Sequence, residues 1–120
     1  MSVERIPYLL ERMRQAATDA QLMIDGVNKE EFLASVILQR AVGMSLLMAS
    51  EIASQLIKIH PEFTLEHPEF PWGAMRGMRS RIAHGYFDID LDKVWATAKD
   101  DVPDLLNRLD LVRNWRAEGE

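Results

Sequence analysis

The chain has 120 residues, 48% of them hydrophobic and 28% charged, with no cysteine and a formal net charge of −5 at pH 7. That length accommodates one hydrophobic core, so residues 1–120 are expected to form a single domain, and the apolar content exceeds what a disordered chain carries. The lack of cysteine removes disulfides and thiolate metal sites, and the net acidity opposes broad electrostatic binding to nucleic acid.

The N-terminal stretch Met1-Ser2-Val3-Glu4-Arg5-Ile6-Pro7 lacks the basic-then-apolar layout of a signal peptide. No unbroken run of about 18 uncharged apolar residues occurs, so no membrane span is expected. The cytoplasm is the simplest location.

A first helix is predicted from Pro7 to Ile24, with Tyr8, Leu9, Met13, Ala16, Ala17 and Ala20 on its inner face. Asp25-Gly26-Val27-Asn28 ends it, and Asn28 with Glu31 forms a capping box for the next helix. That second helix is predicted as one long element from Lys29 to Ile59. Between Ala41 and Ala53 it is apolar or small almost all round, so it needs cover on several sides. The small residues Ala41, Gly43, Ser45, Ala49 and Ala53 permit close helix approach. The cover comes either from the rest of a monomeric bundle or, in part, from a second subunit.

Pro61, Pro68 and Pro71 predict a loop from His60 to Pro71, pinned to the bundle by Phe63, Phe70 and Trp72. A third helix follows from Trp72 to Ala83, with Gly85 suited to ending it. A fourth, capped by Asp90, carries Val94, Trp95 and Ala98 inward, and Pro103 breaks or restarts it. Leu105, Leu106, Leu109, Val112 and Trp115 continue at helical spacing. No strand pattern appears. The predicted fold is all-α, an up-and-down bundle of four to five helices.

The segment Arg79-Ser80-Arg81-Ile82-Ala83-His84-Gly85-Tyr86 concentrates the residue types that phosphodiester chemistry needs. RNA is cleaved without a metal when a base removes the 2′-hydroxyl proton, the oxygen attacks the adjacent phosphorus, and an acid protonates the leaving 5′-oxygen. Histidine titrates near neutrality, and arginine presents a fixed fork to phosphate. Arg76, Arg79 and Arg81 form a local basic patch, whereas Asp88, Asp90, Asp92, Asp100, Asp101 and Asp104 follow it, so a nucleic-acid site here is small. Five positions along an ideal helix leave Arg79 and His84 roughly 140° apart. Either the helix ends just before His84, or the two meet across a two-fold interface that also brings two histidines to one phosphate.

Each residue also has a purely structural account. His84 and the arginines match the macrodipole at a helix C-terminus, and Tyr86 can wedge the turn. Glu51 needs a partner if buried, either Arg79 or His84 in a site or a structural ion pair. His60 and His67 lack metal-ligand spacing, and Asp88, Asp90 and Asp92 lack the glycine and distal glutamate of a calcium loop, so no metal and no cofactor are expected.

The stretch Met78-Arg79-Ser80-Arg81-Ile82-Ala83-His84-Gly85-Tyr86-Phe87 resembles the extended motif of the HEPN superfamily, and within it the HepT-like toxins. Phe70-Pro71-Trp72, Glu51-Ile52-Ala53, Asp90 to Trp95 and Asp101 to Leu106 resemble the family's flanks, so the likeness covers Val27 to Leu109. Ser80 departs from the usual asparagine or aspartate. The resemblance implies a homodimer, joined through a helical face with the motifs facing each other. It further implies metal-independent endoribonuclease activity with Arg79 and His84 as catalytic residues and Ser80, Arg81 and Glu51 as supports. A type VII-like toxin–antitoxin pair follows, whose antitoxin is an MntA-like nucleotidyltransferase that transfers AMP to Tyr86. The alternative is a non-catalytic HEPN module that binds a nucleotidyltransferase partner or a nucleotide, and a third possibility is a dimeric scaffold without chemistry.

Overall fold

Helices form where apolar residues recur at three- and four-residue spacing, and a computed structural model describes them over residues 5–85 and 88–113. In chain order they are α1 (Arg5–Met23), α2 (Lys29–Leu33), α3 (Val36–Ile59), α4 (Pro61–Glu66), α5 (Trp72–Ile82), α6 (Leu91–Ala96) and α7 (Val102–Arg113). The architecture is all-α; no strand forms among the described residues beyond a single isolated bridge between Ala83 and Ile89. Its short helices raise the number above the four or five expected. Trp115 lies outside the described residues.

The helix α3 is central, with α1 and α5 packed along it and α7 closing against α1. Ile6, Leu9, Leu10, Met13, Ala16, Ala17 and Ala20 of α1 are buried, as are Val42, Leu46, Ala49, Ala53 and Leu56 of α3. Tyr8 does not join them. It is 49% exposed, because Leu9 and Leu10 occupy the inward positions of that turn. Gly43 also departs from expectation: a Cβ there meets nothing within 4 Å, so no neighbouring helix requires a glycine at that point.

The single long helix predicted over residues 29–59 is divided. Asn28 and Glu31 form the expected capping box for α2. After one short helix the chain turns at Ala34 and Ser35, and the Ser35 hydroxyl accepts from the amide of Leu38 to start α3. The Gln39 side-chain amide donates to the carbonyls of Phe32 and Leu33, at 3.2 and 3.0 Å, satisfying groups that a helix end leaves open. Both devices are short polar side chains competing for backbone, which apolar periodicity does not register.

By length and composition alone α3 is long and apolar enough to cross a membrane, with mean hydropathy 1.4 over its most apolar window. The sequence expectation differed because Ser45, Ser50 and Glu51 interrupt any unbroken apolar run. Here α3 is the core helix of the bundle.

Two proline effects also differ from expectation. Pro61 opens α4 instead of preventing a helix, since the first turn needs no N–H from it. The aromatics do pin this region: Phe63 and Phe70 rings lie 5.8 and 4.6 Å from Trp72, whose indole N–H donates to the His67 carbonyl. Pro103 neither breaks nor restarts a helix. One π-helical turn, Thr97–Asp101, joins α6 to α7 ahead of it, with the Val102 amide reaching back five residues to Thr97. A wider turn relieves the clash that a proline ring makes with the carbonyl four residues earlier.

Candidate active site

The candidate segment begins inside α5 and runs past its end. Trp72, Met75, Met78 and Ile82 bury one stripe of α5 against α3, and the Ser50 hydroxyl of α3 donates to the Arg76 carbonyl at 3.2 Å. With that stripe fixed, Arg76, Arg79, Ser80 and Arg81 are exposed.

At Ala83 the backbone turns extended, with φ −131° and ψ 120°, and α5 stops one residue before His84's predecessor could continue it. The amide of His84 donates to the Asp88 carbonyl at 2.7 Å, and that of Asp90 donates to Ile82 at 2.8 Å. A short loop is thereby closed at its base. Gly85, at φ +121°, supplies a conformation in it that other residues adopt only under strain. The Asp90 carboxylate then accepts from the Lys93 amide and starts α6.

Of the two geometries that the R-x4-H spacing left open, the helix ending before His84 is the one this chain adopts within itself. His84 is exposed on the loop, and Arg79 is exposed on the last full turn of the helix. Tyr86 lies outside the described residues.

Arg79 borders a groove of about 590 Å³. One wall is α3, through Met44, Leu47, Met48 and Glu51; the other is the end of α5 and the loop, through Arg79, Ala83, Gly85 and Ile89. Glu51 is exposed, so it needs no buried counter-ion, and no ion pair involves it among the described residues. Arg79 and Glu51 therefore face one aqueous groove whose remaining α3 surface is apolar. Met44 and Met48 are 58% and 42% exposed there. Both are flexible, polarizable thioether side chains left open to water on the central helix.

The structure does not gather every candidate. Arg81 lines a separate groove, of about 360 Å³, with Asp100, Asp101 and Asp104. Ser80 is exposed and borders neither groove. The sequence reading missed Met44 and Met48 as part of the site's wall. Their signal was the stretch from Ala41 to Ala53, apolar or small almost all round, whose cover the sequence left open between the bundle and a second subunit.

The fold is all-α, and the motif sets Arg79 at a helix end beside the loop that bears His84, with the apolar wall of Met44, Leu47 and Met48 opposite. The HepT-like family, described as ribonuclease HepT-like, matches residues 13–112. The chain belongs to this family. It is 29% identical to the protein named "Probable ribonuclease HepT" of Thermococcus cleftensis, over 76% of this chain and 84% of that protein. It is 31% identical to a protein of Caldanaerobacter subterraneus subsp. tengcongensis provisionally named as an RNase, over 82% and 85% of the two chains. A Methanocaldococcus jannaschii protein, likewise provisionally named, is 27% identical over 93% of this chain and all of its own length, 100%. No solved structure matches significantly.

Proposed function

We propose that this chain is a metal-independent endoribonuclease, the toxin of a type VII-like toxin–antitoxin pair, acting as a homodimer. The observation that carries the reading is the groove in which Arg79 opens opposite α3 beside the closed loop of His84. Family membership supports RNA as the substrate class.

In this reading Arg79 clamps the non-bridging oxygens of the scissile phosphate through two parallel N–H bonds. His84 of one protomer takes the proton of the 2′-hydroxyl as that oxygen attacks phosphorus. A protonated His84 from the second protomer donates to the departing 5′-oxygen, leaving a 2′,3′-cyclic phosphate. One histidine cannot begin a single turnover both neutral and protonated, which is the chemical reason for a two-fold arrangement. Met44 and Met48 supply an apolar face for the dimer contact. Ser80 and Arg81 act from the same helical turn, Ser80 as a hydrogen-bond donor and Arg81 as a more distant positive charge.

Control follows from the same chemistry. An MntA-like nucleotidyltransferase antitoxin directs the Tyr86 hydroxyl onto the α-phosphorus of ATP; pyrophosphate leaves, the phenolic proton is lost, and AMP remains on the tyrosine. The added phosphate competes for Arg79, and its bulk blocks RNA.

The test is cleavage of RNA in EDTA by the wild type, Arg79→Ala and His84→Ala. Cleavage by the wild type alone is expected; cleavage that persists in both variants overturns the roles. Intact mass after co-expression with a neighbouring nucleotidyltransferase gene tests the control step: an AMP-sized addition is expected, and it disappears in Tyr86→Phe.

A further inference from the structure

Beside the groove of Arg79 lies a second cleft that the chemistry above does not use. Its α1 side carries Arg5, Tyr8 and Arg12, and its α3 side carries Met48, Glu51 and Gln55. Arg5, Tyr8 and Arg12 stand at i, i+3 and i+7 on one helical face. The Arg5 and Arg12 guanidinium carbons are 4.9 and 5.8 Å from the Tyr8 ring centroid. Despite that flanking, the tyrosine remains 49% exposed. Among the described residues neither arginine pairs with a carboxylate, whereas Arg14, on the neighbouring face of α1, is engaged by Glu11.

The two clefts share Met48 and Glu51, so they meet along one exposed ridge of α3. In a chain of net charge −5, two guanidiniums with no carboxylate partner among the described residues, set around an open aromatic ring, form a local cationic and stacking surface. An unpaired base stacks on such a ring or on a guanidinium plane, and the flanking phosphates take the charge. Glu51 at the junction repels a phosphate lying directly over it and accepts instead from a ribose hydroxyl or a base N–H.

We infer that Arg5, Tyr8 and Arg12 form a subsite that stacks an unpaired nucleotide of single-stranded RNA, next to the groove where Arg79 holds the scissile phosphate. The inference rests on the ribonuclease reading for its substrate class, and it adds a preference: unpaired RNA over duplex, since a paired base offers no free face to Tyr8.

The experiment measures binding of a 2′-O-methyl oligouridylate, which lacks the attacking hydroxyl and stays intact, by fluorescence anisotropy. Tyr8→Ala is expected to weaken binding about tenfold, and Tyr8→Phe to keep it, because the ring and not the hydroxyl does the stacking. Arg5→Gln and Arg12→Gln are each expected to reduce the salt slope by about one. The exposed position of Tyr8 leaves the fold intact, which circular dichroism verifies. Tyr8→Ala binding within twofold of wild type overturns the subsite even if cleavage depends on Arg79 and His84. Tyr8-dependent binding without cleavage upholds the subsite and overturns the ribonuclease reading. No binding by the wild type overturns both. Loss of a dimer in Tyr8→Ala, seen by sedimentation, assigns the patch to a second copy of this chain and also overturns the subsite.

Discussion

The amide of Asp90 donates to the carbonyl of Ile82 at 2.8 Å, tying the last residue of α5 directly to the cap of α6. His84 therefore lies between two backbone positions that are held together. The conformation of this loop depends on Gly85, at φ +121° with open space where a Cβ would stand.

Gly85→Ala therefore tests backbone strain without a steric clash. The substitution is expected to cost about 1–3 kcal/mol, read from thermal or urea unfolding. RNA cleavage falls as well, because the strain is relieved by moving His84. Gly73→Ala is the control: it too has open space around its Cβ but lies in a regular helical turn, so stability holds or rises slightly. Equal losses in both variants argue against strain as the cause.

Much of this architecture was legible in advance because apolar spacing and capping chemistry are local. The helix ends around Asn28 and Asp90, and the start of α5 after Pro71, follow from residues within a few positions of each. The break at Ser35 and the π turn before Pro103 were less legible, since each depends on which of several competing backbone hydrogen bonds wins. Tyr8 shows the same limit for burial. An aromatic beside two leucines fits an inner face by pattern, and only packing against α3 decides which of the three turns outward. For the site, the R-x4-H spacing already required a helix end or a second chain. The opposing wall of Met44 and Met48 required knowing where α5 lies on α3.

That wall gives the second prediction. Met44→Glu combined with Met48→Glu places charge on two side chains that are already 58% and 42% exposed. The isolated bundle loses little, within about 1 kcal/mol for surface positions. The proposed homodimer would lose its apolar contact and gain like-charge repulsion across its two-fold axis. Sedimentation is expected to show a monomer, circular dichroism an unchanged helix content, and RNA cleavage a complete loss. A monomer that still cleaves at the parental rate contradicts the two-histidine mechanism.

Gly43 offers a gain instead of a loss. It sits in the middle of α3, and a Cβ there meets nothing within 4 Å. Glycine in a helix interior costs about 0.5–1 kcal/mol relative to alanine through the freedom it has when unfolded. Gly43→Ala is expected to stabilise the protein by about that amount in chemical denaturation, with cleavage unchanged. Destabilisation shows that the position needs glycine for a contact beyond the single chain.

Acid sensitivity has a defined origin in the α1–α7 contact. The Glu11 carboxylate accepts from Arg14 at 3.1 Å and also pairs with Arg113, whose other nitrogen reaches Asp110 at 3.3 Å. The hydrogen bond from Arg14 holds the Glu11 carboxyl below its ordinary value of 4.5, aided by the charge of Arg113 and opposed by partial burial. A group whose folded-state pKa is depressed adds stability above its unfolded pKa and loses it as pH falls through the folded value. Glu11→Gln is therefore expected to lower Tm at pH 7 by a few degrees at most, because these side chains are partly exposed and water screens the pair. The gap between wild type and variant begins to narrow as the pH drops below 4.5, the ordinary value, and closes as it falls through the lower folded-state value, where the wild-type carboxyl itself becomes neutral. High salt narrows the gap at pH 7 by screening the same charges. A difference that stays constant from pH 7 to pH 3 means that Glu11 acts through packing of its methylene groups against α7 and not through its charge.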